Sequence, residues 1–373
     1  MKKHSIFVVL FFLLLALGAG LTFGLPAKEF SDNENRYLTQ MPQLSVDSVL
    51  SGDFQQELSG FLSDQVPLRD LWIGANTSIK KWLGRQEING VYLGKDGYYF
   101  QQFTNDSYSA SRKDAVFGLL EAFAGKTDAQ VTVMPVPTPG IVLADKLPAN
   151  APMYDADGVW QDLKQAVPSA DVIDLREDFA AGATSQTQLY YKTDHHWTTQ
   201  GAYLAYEAYC KKLGLGAKPL ESFGLQQVSD SFYGTIYSKL LDDQAQPDAI
   251  WAATQLPELS IVFDDSETGT SVYAEDFLEK KDKYAYFFGG NWGKVEINTP
   301  TDNGRKLLVI KDSFANCFVP YLLEDYEQII MLDLRYFSGS VADVMAQQGT
   351  TDVLVMYEMT NMLTDTGIIK LGR

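Results

Sequence analysis

The 373-residue chain has three histidines, and two of them stand together in Thr193-Asp194-His195-His196-Trp197. His4 lies in an N-terminal apolar segment, so histidine chemistry falls to His195 or His196. Asp194 precedes His196 by two positions, and in an extended stretch residues i and i+2 project to the same side. A carboxylate so placed can accept the imidazole Nδ1–H, selecting the tautomer and stabilising the imidazolium formed during proton transfer. Thr198-Thr199-Gln200-Gly201 follows as a helix entry with a threonine N-cap. The pair therefore sits on a loop before a helix, a frequent location of catalytic groups. Two other readings compete. One is a metal site of Asp194, His195 and His196, for which the chain offers no further His or Cys pattern to complete a zinc shell. The other is a structural histidine pair satisfied by hydrogen bonds.

Ser313, in Lys311-Asp312-Ser313-Phe314, is the second candidate. It falls just past an apolar strand, Leu307 to Ile310, and just before a helix starting at Phe314, the strand-turn-helix setting in which α/β hydrolases present a nucleophile. Backbone N–H groups at such a helix start suit a developing oxyanion. Taken alone, Asp312-Ser313 is also a good helix N-cap pair, so the serine assignment depends on the Asp-His one.

The elements that must position these groups are legible in the patterning. Leu307 to Ile310, Phe314 to Leu323, Ile329 to Leu332, Val341 to Gln348 and Val353 to Met356 read as strand, helix, strand, helix, strand. This βαβαβ series predicts a parallel sheet covered by helices. Upstream, Ala115 to Ala124 reads as a helix, and Val131 to Val136 and Val172 to Leu175 as strands. Ala202, Tyr206, Tyr209, Cys210 and Leu213 mark one helix face. Residues 221–300 fit this rhythm poorly and read as an irregular insertion that builds part of the site. Val91 to Phe100 reads as strand, turn, strand around Lys95-Asp96-Gly97. Phe54, Leu58, Phe61 and Leu62, then Leu68, Leu71, Trp72, Ala75, Ile79, Trp82 and Leu83, predict two amphipathic helices broken at Pro67.

Before them, Met1-Lys2-Lys3-His4-Ser5 leads into an uncharged apolar run from Ile6 to Leu25, the layout of a secretory signal that is also long enough to span a bilayer. Ala16, Gly18, Ala19 and Gly20 offer no clear cleavage site, which favours an uncleaved signal anchor over a cleaved peptide or a buried helix. The lysines would hold the N-terminus inside and send the rest of the chain outside. The expected organisation is a signal or anchor at 1–25, a stalk and helices at 26–85, and an α/β domain at 86–373.

With 30 Lys+Arg against 48 Asp+Glu, the net charge is −18, which repels phosphate backbones and argues against nucleic-acid binding. Cys210 and Cys317 are too few for a disulfide framework or a cysteine-rich metal site and read as small core residues.

Tyr191-Lys192-Thr193-Asp194-His195-His196-Trp197-Thr198 with Gly201-Ala202 resembles the signature of the DHHW family of exported proteins. So do Tyr286-Phe287-Phe288-Gly289-Gly290-Asn291, Ile310-Lys311-Asp312-Ser313-Phe314-Ala315-Asn316, Asp333-Leu334-Arg335-Tyr336-Phe337, Glu34-Asn35-Arg36 and Asp64-Gln65-Val66-Pro67-Leu68-Arg69. That family is similar in turn to the SGNH-hydrolase-like domains of alginate O-acetyltransferases. The resemblance implies a three-layer α/β/α fold with a mostly parallel sheet and a triad of Ser313, His196 and Asp194, with His195 intervening. Gly290 and Asn291 could donate to an oxyanion or form a plain turn. Arg335 and Tyr357, at the carboxyl edge of the sheet, could contact substrate, or Arg335 could only pair with Asp333. The implied activity is acetyl transfer to a cell-surface polysaccharide or wall glycan, from a donor supplied through a membrane-bound acyltransferase. It involves no cofactor and no metal. A carbohydrate esterase and a non-catalytic glycan-binding or assembly protein are the alternatives.

Overall fold

The computed structural model describes residues 2–34, 36–184 and 187–372; Met1, Asn35 and Arg373, invoked above, lie outside the described residues. The chain divides into two units, one comprising residues up to Asn89 with Tyr237–Gln244, the other Gly90–Ile236 with Ala245–Arg373.

In the first unit the apolar segment is helix α1 (Lys2–Gly24). Its stretch Ile6–Gly24 is long and apolar enough to cross a membrane and is only 6% buried, unlike a core helix. Helices α2 (Val46–Ser51), α3 (Asp53–Gln65) and α4 (Arg69–Trp82) follow, with the break at Pro67 where the proline ring prevents continuation. The Glu34, Arg36, Asp64 and Arg69 side chains of the two early motifs meet in one ion network. Arg36 grips Asp64 with two hydrogen bonds of 2.9 and 2.6 Å, and Glu34 bridges Arg36 and Arg69 at 2.7 and 2.8 Å.

The second unit is built on an eight-stranded sheet. In chain order its strands are β1 (Gln130–Val133), β2 (Asp171–Val172), β3 (Ser260–Phe263), β4 (Glu267–Gly269), β5 (Lys294–Asn298), β6 (Lys306–Lys311), β7 (Gln328–Leu332) and β8 (Asp352–Met356). They are arranged β4-β3-β5-β7-β6-β8-β1-β2. From β7 to β2 all pairings are parallel, and β5, β3 and β4 extend the sheet antiparallel. These antiparallel strands come from the 221–300 stretch, which also holds the paired ribbon Leu225–Phe232 and Asp248–Ala253. Each is short, β3 and β4 are joined through Asp264 and Asp265 at φ 44 and 58, and β5 alternates polar and apolar residues in place of the continuous apolar runs of the parallel strands.

Alternation along the strands creates two cores. Leu307 and Val309 of β6 point to one face, where they join Ala202, Tyr206, Tyr209 and Cys210 of helix Thr199–Leu213. Leu308 and Ile310 point to the other, against Phe117 and Leu120 of helix Ala110–Ala124, Trp160 of helix Ala156–Ala166 and Val344 of helix Val341–Gln348. Helices on both faces of one sheet make three layers. Some elements are shorter than their apolar runs. β1 stops at Val133 because Pro135 has no N–H for the ladder, although Val136 still donates to Tyr357 at 2.8 Å. The segment Phe314 to Leu323 is an α-turn, Ala315–Phe318, running into a 3₁₀ turn, Val319–Leu322, that contains Pro320.

Candidate active site

β6 delivers Ser313 by its termination. It ends at Lys311, and Asp312 then turns the chain: its Oδ1 accepts the Phe314 N–H at 3.0 Å, and its Oδ2 accepts the Glu358 N–H and the Asn361 amide, both at 2.8 Å. Asp312 thus spends its carboxylate on the turn, leaving the Ser313 hydroxyl for another partner.

That partner comes from the loop before helix Thr199–Leu213. Thr198 caps this helix, accepting the Gly201 N–H at 3.2 Å, and a Cβ at Gly201 would lie 2.3 Å from the Leu189 carbonyl, so only glycine lets the helix start pack here. Asp248 pins the preceding residues, accepting the Lys192 and Thr193 N–H groups at 3.0 and 2.9 Å and the Thr193 hydroxyl at 2.7 Å. Trp197 donates its indole N–H to the Phe314 carbonyl at 3.0 Å. The structure brings Asp194, His196 and Ser313 into one hydrogen-bonded chain. His196 Nδ1 meets Asp194 Oδ1 at 2.5 Å, and His196 Nε2 meets Ser313 Oγ at 2.7 Å. His195 turns its Nδ1 to the Thr235 hydroxyl at 2.7 Å instead.

Asp194 is buried, and burial alone would raise its pKa. The charges of His195 and His196, with hydrogen bonds from His196 and Thr235, outweigh that and hold the carboxyl far below the usual range. Its second oxygen accepts the Thr235 N–H and hydroxyl at 2.7 and 2.9 Å. The approach is possible because residue 234 is glycine: a Cβ there would lie 2.2 Å from the Asp194 Cβ. The His196 ring is stacked on Tyr284, centroids 3.8 Å apart and planes 13° from parallel, while the Tyr284 hydroxyl reaches the Ser313 carbonyl at 3.3 Å.

The ligand atoms of Asp194, His195 and His196 lie within 4.8 Å of one another, so the three could gather round a cation. A metal there would compete with the hydrogen bonds that already engage both His196 ring nitrogens.

The remaining candidates fall in three places. Gly290 donates its N–H to the Phe287 carbonyl at 3.3 Å, closing a turn, and its carbonyl accepts from Asn316 at 3.2 Å. Asn291 Oδ1 accepts from Lys311 Nζ at 3.1 Å and from Asn316 at 3.2 Å. Arg335 forks onto Asp333 with bonds of 2.8 and 2.6 Å and is about a third exposed. Tyr357 packs into the core under the sheet with its hydroxyl buried, because its position in the register turns it inward. Lys311, whose Nζ donates to Asn291 and Asn316, is buried. Burial pushes its ammonium down to about 8, against the pull of Asp333. Sequence patterning did not single out Thr235, Gly234, Tyr284, Asp248 or Asn316. Only Asn316, inside the Asp-Ser-Phe-Ala-Asn segment, had a sequence signal.

Fold and site together define a three-layer α/β/α protein with a mostly parallel sheet and a serine, a histidine and an aspartate hydrogen-bonded in series. Residues 179–332 match the model of the family described as DHHW protein, which bears out the resemblance seen in the motifs. A DHHW family protein from Eubacterium siraeum is similar in structure, with TM-score 0.65 and 24% identity over 76% of this chain and 96% of that one. PatB1 of Bacillus cereus, solved with a sulfonyl adduct, has TM-score 0.63 and 19% identity over 76% of this chain and 98% of that one. No curated protein matches the chain.

Proposed function

We propose that the protein is an extracytoplasmic serine acyltransferase that moves an acetyl group onto a hydroxyl of a cell-surface polysaccharide or wall glycan. The observation that carries this reading is the unbroken Asp194–His196–Ser313 hydrogen-bond chain. Ser313 Oγ attacks the carbonyl carbon of an acetyl ester as its proton passes to His196 Nε2. Collapse of the tetrahedral intermediate expels the donor's alkoxide, which takes that proton and leaves acetyl-Ser313. The acceptor hydroxyl then gives its proton to His196 and attacks the acyl carbon, and His196 returns a proton to Ser313. Asp194, kept ionised, steadies the imidazolium in both halves. The N-terminal apolar helix supports a location outside the membrane, with that helix as signal or anchor.

The test is covalent labelling. A sulfonyl fluoride, the chemistry suggested by the adduct on PatB1, or a fluorophosphonate should modify Ser313, and His196→Ala should abolish the modification. p-Nitrophenyl acetate should be turned over in the presence of chelators. Activity that chelators remove and Ser313→Ala leaves intact would overturn the reading. Addition of a glycan acceptor separates transferase from esterase, since an orienting site diverts acetyl from water to the sugar.

A further inference from the structure

α4 carries its apolar stripe on the wrong side for a helix held only by its own chain. Leu71, Trp72, Ile79 and Trp82 recur at helical spacing and are 60, 54, 57 and 84% exposed, with Leu68 and Leu83 exposed at the two ends. The face turned inward is polar or small. Thr77 is buried and donates to the Leu240 carbonyl at 2.6 Å, Lys81 donates to Asp242 at 2.7 Å, and a Cβ at Gly74 would come within 3.0 Å of the Leu241 carbonyl. A soluble helix buries the apolar stripe and exposes the polar face. Leu68, at the turn into α4, has φ 58, an uncommon backbone state for a bulky residue, and it is exposed there.

The start of α4 lies where α1 ends. Phe23 near the end of α1 packs on Phe61 of α3, centroids 6.0 Å apart. Lys28 and Gln65 exchange hydrogen bonds of 2.9 and 2.8 Å. Leu25 and Pro26 line one cleft of about 470 Å³ with Pro67, Leu68 and Leu71. If α1 spans a bilayer, Leu68 and Leu71 are therefore at the level where the chain leaves the hydrocarbon.

We propose that the exposed face of α4 lies in the headgroup–acyl boundary of the membrane that α1 crosses, making the N-terminal unit a second, interfacial anchor. The composition fits that occupant. Two tryptophans with leucine and isoleucine suit the boundary layer, where indole rings concentrate. Lys80 and Arg85 flank Trp82 and Leu83 and can extend their cations to lipid phosphates. The continuity of this face with the exit of α1 favours lipid over a second copy or a soluble partner. The inference does not depend on the acyl-transfer chemistry.

The test uses the full chain in vesicles of phosphatidylethanolamine and phosphatidylglycerol. Trp72→Cys and Trp82→Cys are labelled with an environment-sensitive fluorophore, with Lys211→Cys, on an exposed helix position of the α/β unit, as control. The native Cys210 and Cys317 are buried. Nitroxide lipids labelled near the headgroup should remove about half or more of the emission at 72 and 82 and leave 211 unchanged. Three outcomes overturn the proposal: labels at 72 and 82 quenched by aqueous iodide but not by nitroxide lipid, disulfide dimers through Trp82→Cys in place of lipid quenching, and failure of the full chain to float with the vesicles.

Discussion

Trp197 donates its indole N–H to the carbonyl of Phe314, so the loop that carries His196 is bolted to the turn that carries Ser313 by a bond one residue away from the His196–Ser313 contact on each strand of chain. Replacing this donor with Trp197→Phe leaves the Phe314 carbonyl buried with only the weak Cys317 thiol contact at 3.8 Å. The expected cost is about 1–3 kcal/mol of stability, read in chemical denaturation, with a loss of Ser313 labelling rate beyond that of an equally destabilised core variant. A labelling rate unchanged under folding conditions would show that the bond holds the core alone.

Asp194→Asn removes the negative charge while keeping size. Acetyl-ester turnover is expected to fall by roughly 10⁴-fold with the fold retained, the size of effect seen when an aspartate in this role becomes an amide. Steady-state kinetics with circular dichroism as the folding control reads it directly.

Gly234 is a conformational gatekeeper for that carboxylate. Gly234→Ala sets a methyl 2.2–2.3 Å from the Asp194 Cβ and Oδ2, so Thr235 or Asp194 must shift. A displacement of this order costs about 10²-fold in rate, and the effect should fall on kcat rather than on KM.

Glu358 supplies a pH prediction. It is buried beneath the Asp312 turn, and burial, reinforced by the Asp312 charge, raises its carboxyl to about 8 from an ordinary 4.5 against hydrogen bonds from Thr360 and Asn361. The folded state then holds a proton that the unfolded state has released, so stability falls as pH climbs from about 4.5 to about 8. Glu358→Gln should flatten that slope in urea midpoints measured across this range. An unchanged slope would assign it to another group.

In the N-terminal unit the hydrogen bonds from Arg36 hold Asp64 well below its ordinary value of 3.8 against burial. A depressed acid contributes stability that is complete above the unfolded value and is lost as pH falls through the folded one. Asp64→Asn should loosen this unit by about 1–3 kcal/mol, detected as faster hydrogen exchange in residues 30–70 with the α/β unit unaffected.

Chemistry and framework were legible in the sequence to different depths. Histidine scarcity limited the base to His195 or His196, the Asp-x-His spacing and the family resemblance favoured His196 with Asp194, and the βαβαβ run of the C-terminal third with the family pattern marked where Ser313 would stand. The groups that brace the site were not visible. Thr235, Gly234 and Tyr284 act through contacts between segments with no periodic pattern, and Asp248 works through backbone N–H groups that any sequence possesses. The antiparallel edge β3 to β5 was obscured because β5 alternates polar and apolar residues and lacks the continuous apolar run that marks β7 and β8. Apolar spacing marked α4 as amphipathic but could not tell which face turns inward, since that depends on Leu240 and Asp242 far along the chain.

The alternation of β6 has a further consequence. Leu307 and Val309 of that strand serve one core and Leu308 and Ile310 the other, and the turn that carries Ser313 is fixed to the strand's end at Lys311. Insertion or deletion of a single residue in β6 would exchange the two sets and rotate the hydroxyl away from His196. The nucleophile is in this sense phase-locked to the hydrophobic alternation. Substitutions that keep the beat can be absorbed by repacking, whereas a change in chain length of one residue would disable the site and both cores in a single step.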